Sequence, residues 1–201
     1  MYCIKNKTLI ILDWDDTLFP TTWLLKNGVD LADPGLRIKY KNKLKKLDDL
    51  LDKFIKTMQS YGTVMIITNA APSWVSLSGS LLRNTNKLLA NIKVISARQQ
   101  HNGIAQMKDW KKLSFAKEFK KCDKHDGLAN IISIGDATYE YTALINLYNH
   151  QENYYDRLLK SVKFKRRPSY SELYDQLVVT NKNIDMICSH KNHLDLKMDE
   201  K

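Results

Sequence analysis

The chain has 201 residues, 43% of them hydrophobic, and its 32 Lys and Arg against 22 Asp and Glu give a formal charge of +10. That is enough apolar content for one buried core of ordinary domain size, while no apolar run approaches the ~20 residues of a membrane-spanning helix. Cys3, Cys122 and Cys188, odd in number and far apart, exclude a disulfide framework, and with no leader-like segment near the start the expectation is a soluble, intracellular, cytoplasmic protein.

In chain order, the first predicted element is a strand over Thr8 to Asp13, opening the run LIILDWDDTLFP from Leu9 to Pro20. The apolar strand ends in Asp13, Trp14, Asp15, Asp16 and Thr17. Crowded like charges at a strand tip oppose one another's ionisation unless a cation neutralises them, so the cluster reads as a site. A calcium loop or an acidic surface turn is the plainer alternative, and the apolar strand in front of it argues against both. From Leu36, apolar residues recur at Tyr40, Leu44, Leu47, Leu51, Phe54 and Met58, one buried helix stripe. Arg37, Lys39, Lys41, Lys43, Lys45 and Lys46 fall mostly off that stripe. With further groups over Lys108 to Lys124 and Lys160 to Arg167, they are suited either to attracting a polyanion or to covering solvated faces.

A second strand, Thr63 to Thr68, ends in a hydroxyl followed by Asn69, and a helix is expected from about Pro72 to Leu89. Thr68 and the N–H groups entering that helix can bind phosphate oxygens, although a plain strand end fits as well. Lys93 to Ser96 is a third strand. A helix over about Trp110 to Lys121 carries Lys111, Lys112 and Lys117, any of which can hold the charge of a nucleophile and a transferred group; a His125-Asp126-Gly127 turn follows. The fourth strand, Asn130 to Gly135, delivers Asp136, with Glu140 one helical turn later on the same side and Gly135 allowing a tight turn. A helix start with an acidic first turn would look similar. Helices after Thr138 and from Pro168-Ser169, and a fifth strand over Val162 to Phe164, complete the pattern. From about Lys182 the chain is polar and is expected to be a tail that frays.

Strands alternating with helices imply a parallel sheet covered on both faces, a doubly wound three-layer α/β/α arrangement, with ligands beyond the carboxyl ends of the strands. One domain over 1–181 is expected, with the tail over 182–201. Asp13 can attack phosphorus, and Asp15 can protonate the leaving oxygen and then activate water. Asp13 and Asp136, with the Asp15 backbone carbonyl and waters, make an oxygen-rich set suited to Mg²⁺. Glu140 is better placed to orient waters or the lysine, and Thr17 to support the loop. Trp14, Phe19, Trp23 and Trp74 can stack on a base or pack as core, and core suits at least two of them. Cys188, His190 and His193 crowd into a few residues without a fourth zinc ligand. Ser78-Gly79-Ser80 lacks the G-x-S-x-G elbow, and no Gly-rich nucleotide loop occurs.

The order acidic strand, Thr strand, lysine helix, acidic strand resembles the haloacid dehalogenase superfamily. DWDDT is similar to its DxDxT motif, Thr68 to its second motif, Lys111 to its third, and GDATYE to its fourth, over about Thr8 to Ala143. The resemblance implies a Rossmann-like core, Mg²⁺ dependence and phosphoryl transfer through an aspartyl-phosphate, with Asp13, Asp15, Thr68 and Lys111 catalytic, Asp13, Asp15 and Asp136 at the metal, and Thr17, Asn69 and Glu140 toward the substrate. More narrowly, DWDDTLFPTTWL, KVISAR, DWKKLSF and VKFKRRPSYSEL resemble a group of single-domain members in protists and large DNA viruses. Dehalogenases of the family lack the acid of Asp15 and its ATPases usually carry Thr there, which points to the phosphatases. The short intervals from Asp13 to Thr68 and from Thr68 to Lys111 leave little room for a cap domain. An open site in this family goes with large substrates, a phosphoprotein or a nucleic acid end. The alternative is a catalytically slow binding module for nucleic acid or a phosphoprotein.

Overall fold

In the computed structural model, which describes residues 5–31, 33–148 and 157–198, the first strand, β1 (Thr8–Leu12), is buried along its whole length. Both faces of the sheet are covered, so the strand carries apolar residues without alternation. Leu9 and Ile11 enter one layer of core, Ile10 and Leu12 the other. Two helices, α1 (Thr21–Lys26) and α2 (Pro34–Tyr61), lead to β2 (Thr63–Thr68). Then come α3 (Pro72–Gly79), α4 (Arg83–Leu89), β3 (Lys93–Ser96), α5 (Ala97–His101), α6 (Met107–Asp126), β4 (Asn130–Gly135), α7 (Thr138–Tyr148), β5 (Leu158–Lys163), α8 (Tyr170–Ser189) and β6 (Leu194–Lys197).

All six strands are parallel, in the order β3-β2-β1-β4-β5-β6. The order reverses between β1 and β4, and the crevice beyond the carboxyl ends of such a pair is where doubly wound sheets bind ligands. One core layer joins the sheet to α2 and α8 through Leu47, Leu51, Phe54, Leu173 and Leu177. The other joins it to α6 and α7 through Phe115, Phe119, Ala143 and Leu144. The three-layer α/β/α expectation describes this architecture.

The helix expected over Pro72 to Leu89 is two helices. The Asp48 carboxylate on α2 accepts the N–H groups of Asn84 (2.9 Å) and Thr85 (2.8 Å) and the Thr85 hydroxyl (2.8 Å), so α4 takes its N-terminal cap from another helix. No local pattern announces a cap supplied across space. The fifth strand begins four residues earlier than Val162 because Lys160, which breaks the apolar run, is fully buried and donates to the Cys188 carbonyl in the last turn of α8 at 2.7 Å.

From Lys182 the chain does not form a tail. It continues α8 to Ser189, with Ile184, Ile187 and Cys188 buried, and then adds β6 to the sheet edge, Leu194 pairing with Lys160 and Lys197 with Lys163. The alternation Leu194-Asp195-Leu196-Lys197, with the leucines turned toward the core, is the period-two signature of an edge strand. Cys3 and residues 199–201 lie outside the described residues. Among the described residues no helix is long and apolar enough to cross a membrane.

Candidate active site

Leu12 of β1 pairs with Ile134 of β4, and the Asp13 N–H donates to the Ile134 carbonyl at 3.0 Å. This register carries Asp13 and Asp136 past the sheet side by side at the point where the strand order reverses, and both are buried. One ligand oxygen each from Asp13, Asp136 and Glu140 lies within 4.8 Å of the others. Glu140 enters because α7 starts two residues after Asp136 and brings it back by one turn. Its Oε2 accepts the Ala137 N–H at 3.1 Å, and its Oε1 pairs with Lys111.

Lys111 is 2% exposed, and its Nζ stands 2.7 Å from Asp13 Oδ1. Of the three lysines considered, it alone shares the buried α6 stripe with Ser114, Phe115, Glu118 and Phe119, whereas Lys112 is half-buried and Lys117 exposed. The spacing to Phe115 and Phe119 is the signal in the sequence that separates it from the others.

Gly135 has a different reason than the tight turn expected of it. A Cβ there would sit 2.3 Å from Glu140 Cγ. The glutamate can cross to Lys111 only over a bare Cα.

After Asp13 the chain wraps tightly, with the N–H groups of Leu18 and Phe19 both donating to the Trp14 carbonyl at 2.9 Å. Asp16 takes a left-handed conformation, φ 55°, which an aspartate tolerates better than most side chains. The Asp15 carboxylate receives the Thr21 hydroxyl and the Trp74 indole N–H, the latter at 2.7 Å, both on Oδ1. Asp16 is tied to α1 by the Thr22 N–H at 2.8 Å and the Thr22 hydroxyl. Thr17 is fully buried, and neither its hydroxyl nor the Asn69 Oδ1 has a hydrogen-bond partner among the described residues. The Thr68 hydroxyl accepts the Ala70 N–H at 3.1 Å, leaving its own hydrogen to donate. Sequence reasoning passed over Thr21 and Thr22, took Asp16 only as part of the acidic cluster and weighed Trp74 only for stacking or core; these residues meet through the folded loop, and the TT pair opening α1 is the one local hint.

The electrostatics are lopsided. Three buried carboxylates share one buried ammonium. Burial pushes the Asp136 carboxyl up, and the charges of Asp13, Glu140 and Asp16 add to the effect, to about 8. Burial likewise raises Glu140, against the pull of Lys111, and raises Asp15 against its hydrogen bonds from Thr21 and Trp74. Burial works against the Lys111 ammonium, but Asp13 and Glu140 overcome it and hold the lysine above its ordinary range. An all-oxygen cluster with more carboxylates than ammonium groups could hold a hard metal cation.

Trp14 and Phe19 are fully buried and stack on each other, centroids 5.9 Å apart, so both are core. Trp23 packs against Tyr40 and Tyr170. The basic groups divide too: Lys160 is interior, Lys121 pairs with Glu118 at 2.9 Å, and Lys165 with Glu172 at 2.7 Å. His193, one of the residues weighed for zinc, accepts the Leu159 N–H at 3.0 Å.

No family model matches the chain, and no curated protein does. Among solved structures, it is similar to the crystal structure of a HAD family hydrolase from Deinococcus radiodurans R1 with bound phosphate and sodium. That pair has 11% sequence identity over 94% of this chain and 90% of that one, with a TM-score of 0.39.

Proposed function

We propose that the chain is a phosphatase of the haloacid dehalogenase type, dependent on Mg²⁺ and working through a phosphoryl group carried on Asp13. The observation that supports this most is the Lys111 ammonium, buried at 2.7 Å from Asp13 Oδ1 and braced by Glu140. A lysine in that position restrains the nucleophile and offers positive charge where the phosphoryl group transfers. Completeness of the set, down to an acid beside the nucleophile, favours turnover over the binding-module alternative.

In this reading an Asp13 carboxylate oxygen attacks phosphorus while the bond to the leaving oxygen breaks. Asp15 supplies the proton that oxygen needs. With Thr21 and Trp74 both on Oδ1, Oδ2 is the oxygen left to carry it, and the raised affinity of Asp15 for protons favours the acid form. The same carboxylate then takes a proton from a water that attacks the aspartyl-phosphate, releasing inorganic phosphate and restoring Asp13. Thr68 has a hydroxyl hydrogen for a phosphate oxygen, and Thr17 and Asn69 offer buried polar atoms beside it. Asp13, Asp136 and the Asp15 carbonyl would hold Mg²⁺, which neutralises the negative charge of the phosphoryl oxygens when bound.

The substrate is proposed to be a large phosphorylated molecule. The stretch between β1 and β2 is accounted for by α1 and α2, and that between β2 and β3 by α3 and α4, which supports a site with no inserted covering domain. The full chain is expected to hydrolyse an aryl phosphate, to stop in excess EDTA and to resume when Mg²⁺ is restored. Hydrolysis undiminished by EDTA would contradict the reading.

A further inference from the structure

The basic run on α2 divides by face. Lys39 lies over the Tyr40 ring and Lys43 over those of Trp23 and Tyr170, at 4.9 to 5.3 Å from the centroids. Arg37, Lys41 and Lys45, four residues apart, form a row on another face. There they meet Arg83 and Lys87 of α4, also four apart, across a groove of about 640 Å³.

Five cations line one groove against two carboxylates, which leaves an excess of positive charge there. The charged groups of Lys41, Lys45, Arg83 and Lys87 have no hydrogen-bond or ion-pair partner among the described residues, and Arg37 spends only its Nε, on the Leu31 carbonyl. The two carboxylates in the groove are engaged with α4: Asp48 caps it, and Asp49 accepts the Asn84 side-chain amide at 3.3 Å. Some cations elsewhere among the described residues do meet carboxylates, as in Lys56 with Asp52 or Arg157 with Asp123.

The groove also faces the right end of the molecule. With 28 residues, α2 spans roughly 42 Å, about twice the length of the strands it covers. Its buried residues begin only at Leu44. The helix runs antiparallel to the strands, so its first turns, with Arg37 and Lys41, project past their carboxyl ends, on the side where Asp13 lies.

We infer that the groove between α2 and α4 is a docking site for the phosphate backbone of a single-stranded nucleic acid. Cations on two facing walls can flank one backbone from both sides, an arrangement a duplex cannot use. The row from Arg37 to Lys45 extends about 12 Å, long enough for roughly two or three successive phosphates of an extended strand. A phosphopeptide, whose phosphates are isolated, has no use for such a row. The lining has Leu44 and Leu81 but no aromatic ring, so recognition is of phosphates and blind to base. The docking does not depend on turnover.

The test is binding of the full chain to a labelled oligonucleotide of about 16 nucleotides with hydroxyl ends, across a salt series. Lys41→Gln/Lys45→Gln/Arg83→Gln/Lys87→Gln is compared with Lys53→Gln/Lys108→Gln/Lys120→Gln/Lys182→Gln, which removes the same charge elsewhere. The groove variant is expected to lose roughly a hundredfold or more in affinity at 0.1 M salt and about 3 in the slope of log affinity against log salt, at ~0.7 per phosphate contact. The second variant should lose far less, and homopolymers of different base should bind alike. Equal losses in the two variants, tighter binding of a duplex of the same length, equal displacement by a phosphopeptide, or no salt-sensitive binding at all would overturn the inference. Aryl phosphate hydrolysis, assayed in both variants, should be retained; its absence from the unaltered chain would count against the phosphatase reading and leave the binding result standing.

Discussion

Trp74 donates its indole N–H to Asp15 Oδ1 at 2.7 Å, reaching from the first turn of α3 to the loop after β1. This bond favours the ionised carboxylate, while burial, with lesser help from Asp13 and Asp16, favours the acid. Trp74→Phe removes the donor and keeps most of the bulk. Asp15 should then hold its proton more tightly, and because the first step needs the acid form, the basic limb of the kcat/KM profile should move to higher pH. The rate should fall roughly tenfold as the carboxyl loses its orientation. A lower rate with an unmoved limb would assign Trp74 to packing alone.

Asp136 makes the stability of the metal-free protein depend on pH in a definite direction. Its folded-state pKa of about 8 lies above the ordinary 3.8, so the folded state keeps a proton that the unfolded chain releases. Stability should therefore fall as pH rises from about 4 to about 8. Thermal unfolding in EDTA should show a lower Tm at pH 8 than at pH 5, Asp136→Asn should flatten the difference, and Mg²⁺ should restore the loss at pH 8. A Tm that rises over this range would refute the electrostatic description.

Gly135→Ala would place a Cβ 2.3 Å from Glu140 Cγ. The glutamate cannot step aside cheaply, being held by Lys111 and the Ala137 N–H. The substitution should destabilise by about 1–3 kcal/mol and slow hydrolysis. In a Glu140→Ala background the same change should be nearly silent, and the coupling is read from a double-mutant cycle by urea unfolding. Additive losses would show that the glycine matters for another reason.

Asp48→Ala leaves the first N–H groups of α4 without their carboxylate. A cost of about 2 kcal/mol is expected in the urea midpoint, with the kcat for an aryl phosphate unchanged below the transition. An unchanged midpoint would mean that α4 finds another cap.

These cases show what can be read from the chain and what cannot. The β1 and β2 cores announce themselves as unbroken apolar runs, and β4 as one interrupted by Ser133, because both faces of the sheet are covered, and the acidic residues closing β1 and β4 stand out as exceptions to that pattern. The sequence left Lys111, Lys112 and Lys117 open on α6, although the place of Lys111 beside Phe115 and Phe119 on one helix stripe is a signal that separates them. The Asp48 cap, the buried Lys160 and the Trp74 donor were not legible, since each joins residues far apart in sequence. The edge strand β6 was hidden by composition: Leu194-Asp195-Leu196-Lys197 alternates as a strand should, inside a stretch polar enough to pass for a tail.

The central claim is that Asp13 carries the phosphoryl group, and acid-quenching the protein during turnover of an aryl phosphate with Mg²⁺ tests it most directly. The account predicts a phosphoryl group on the peptide containing Asp13, removable by hydroxylamine, and neither adduct nor hydrolysis in a folded Asp13→Asn variant. Turnover that persists in Asp13→Asn, or hydrolysis by the unaltered chain with no phosphoryl group ever found on Asp13, would contradict it.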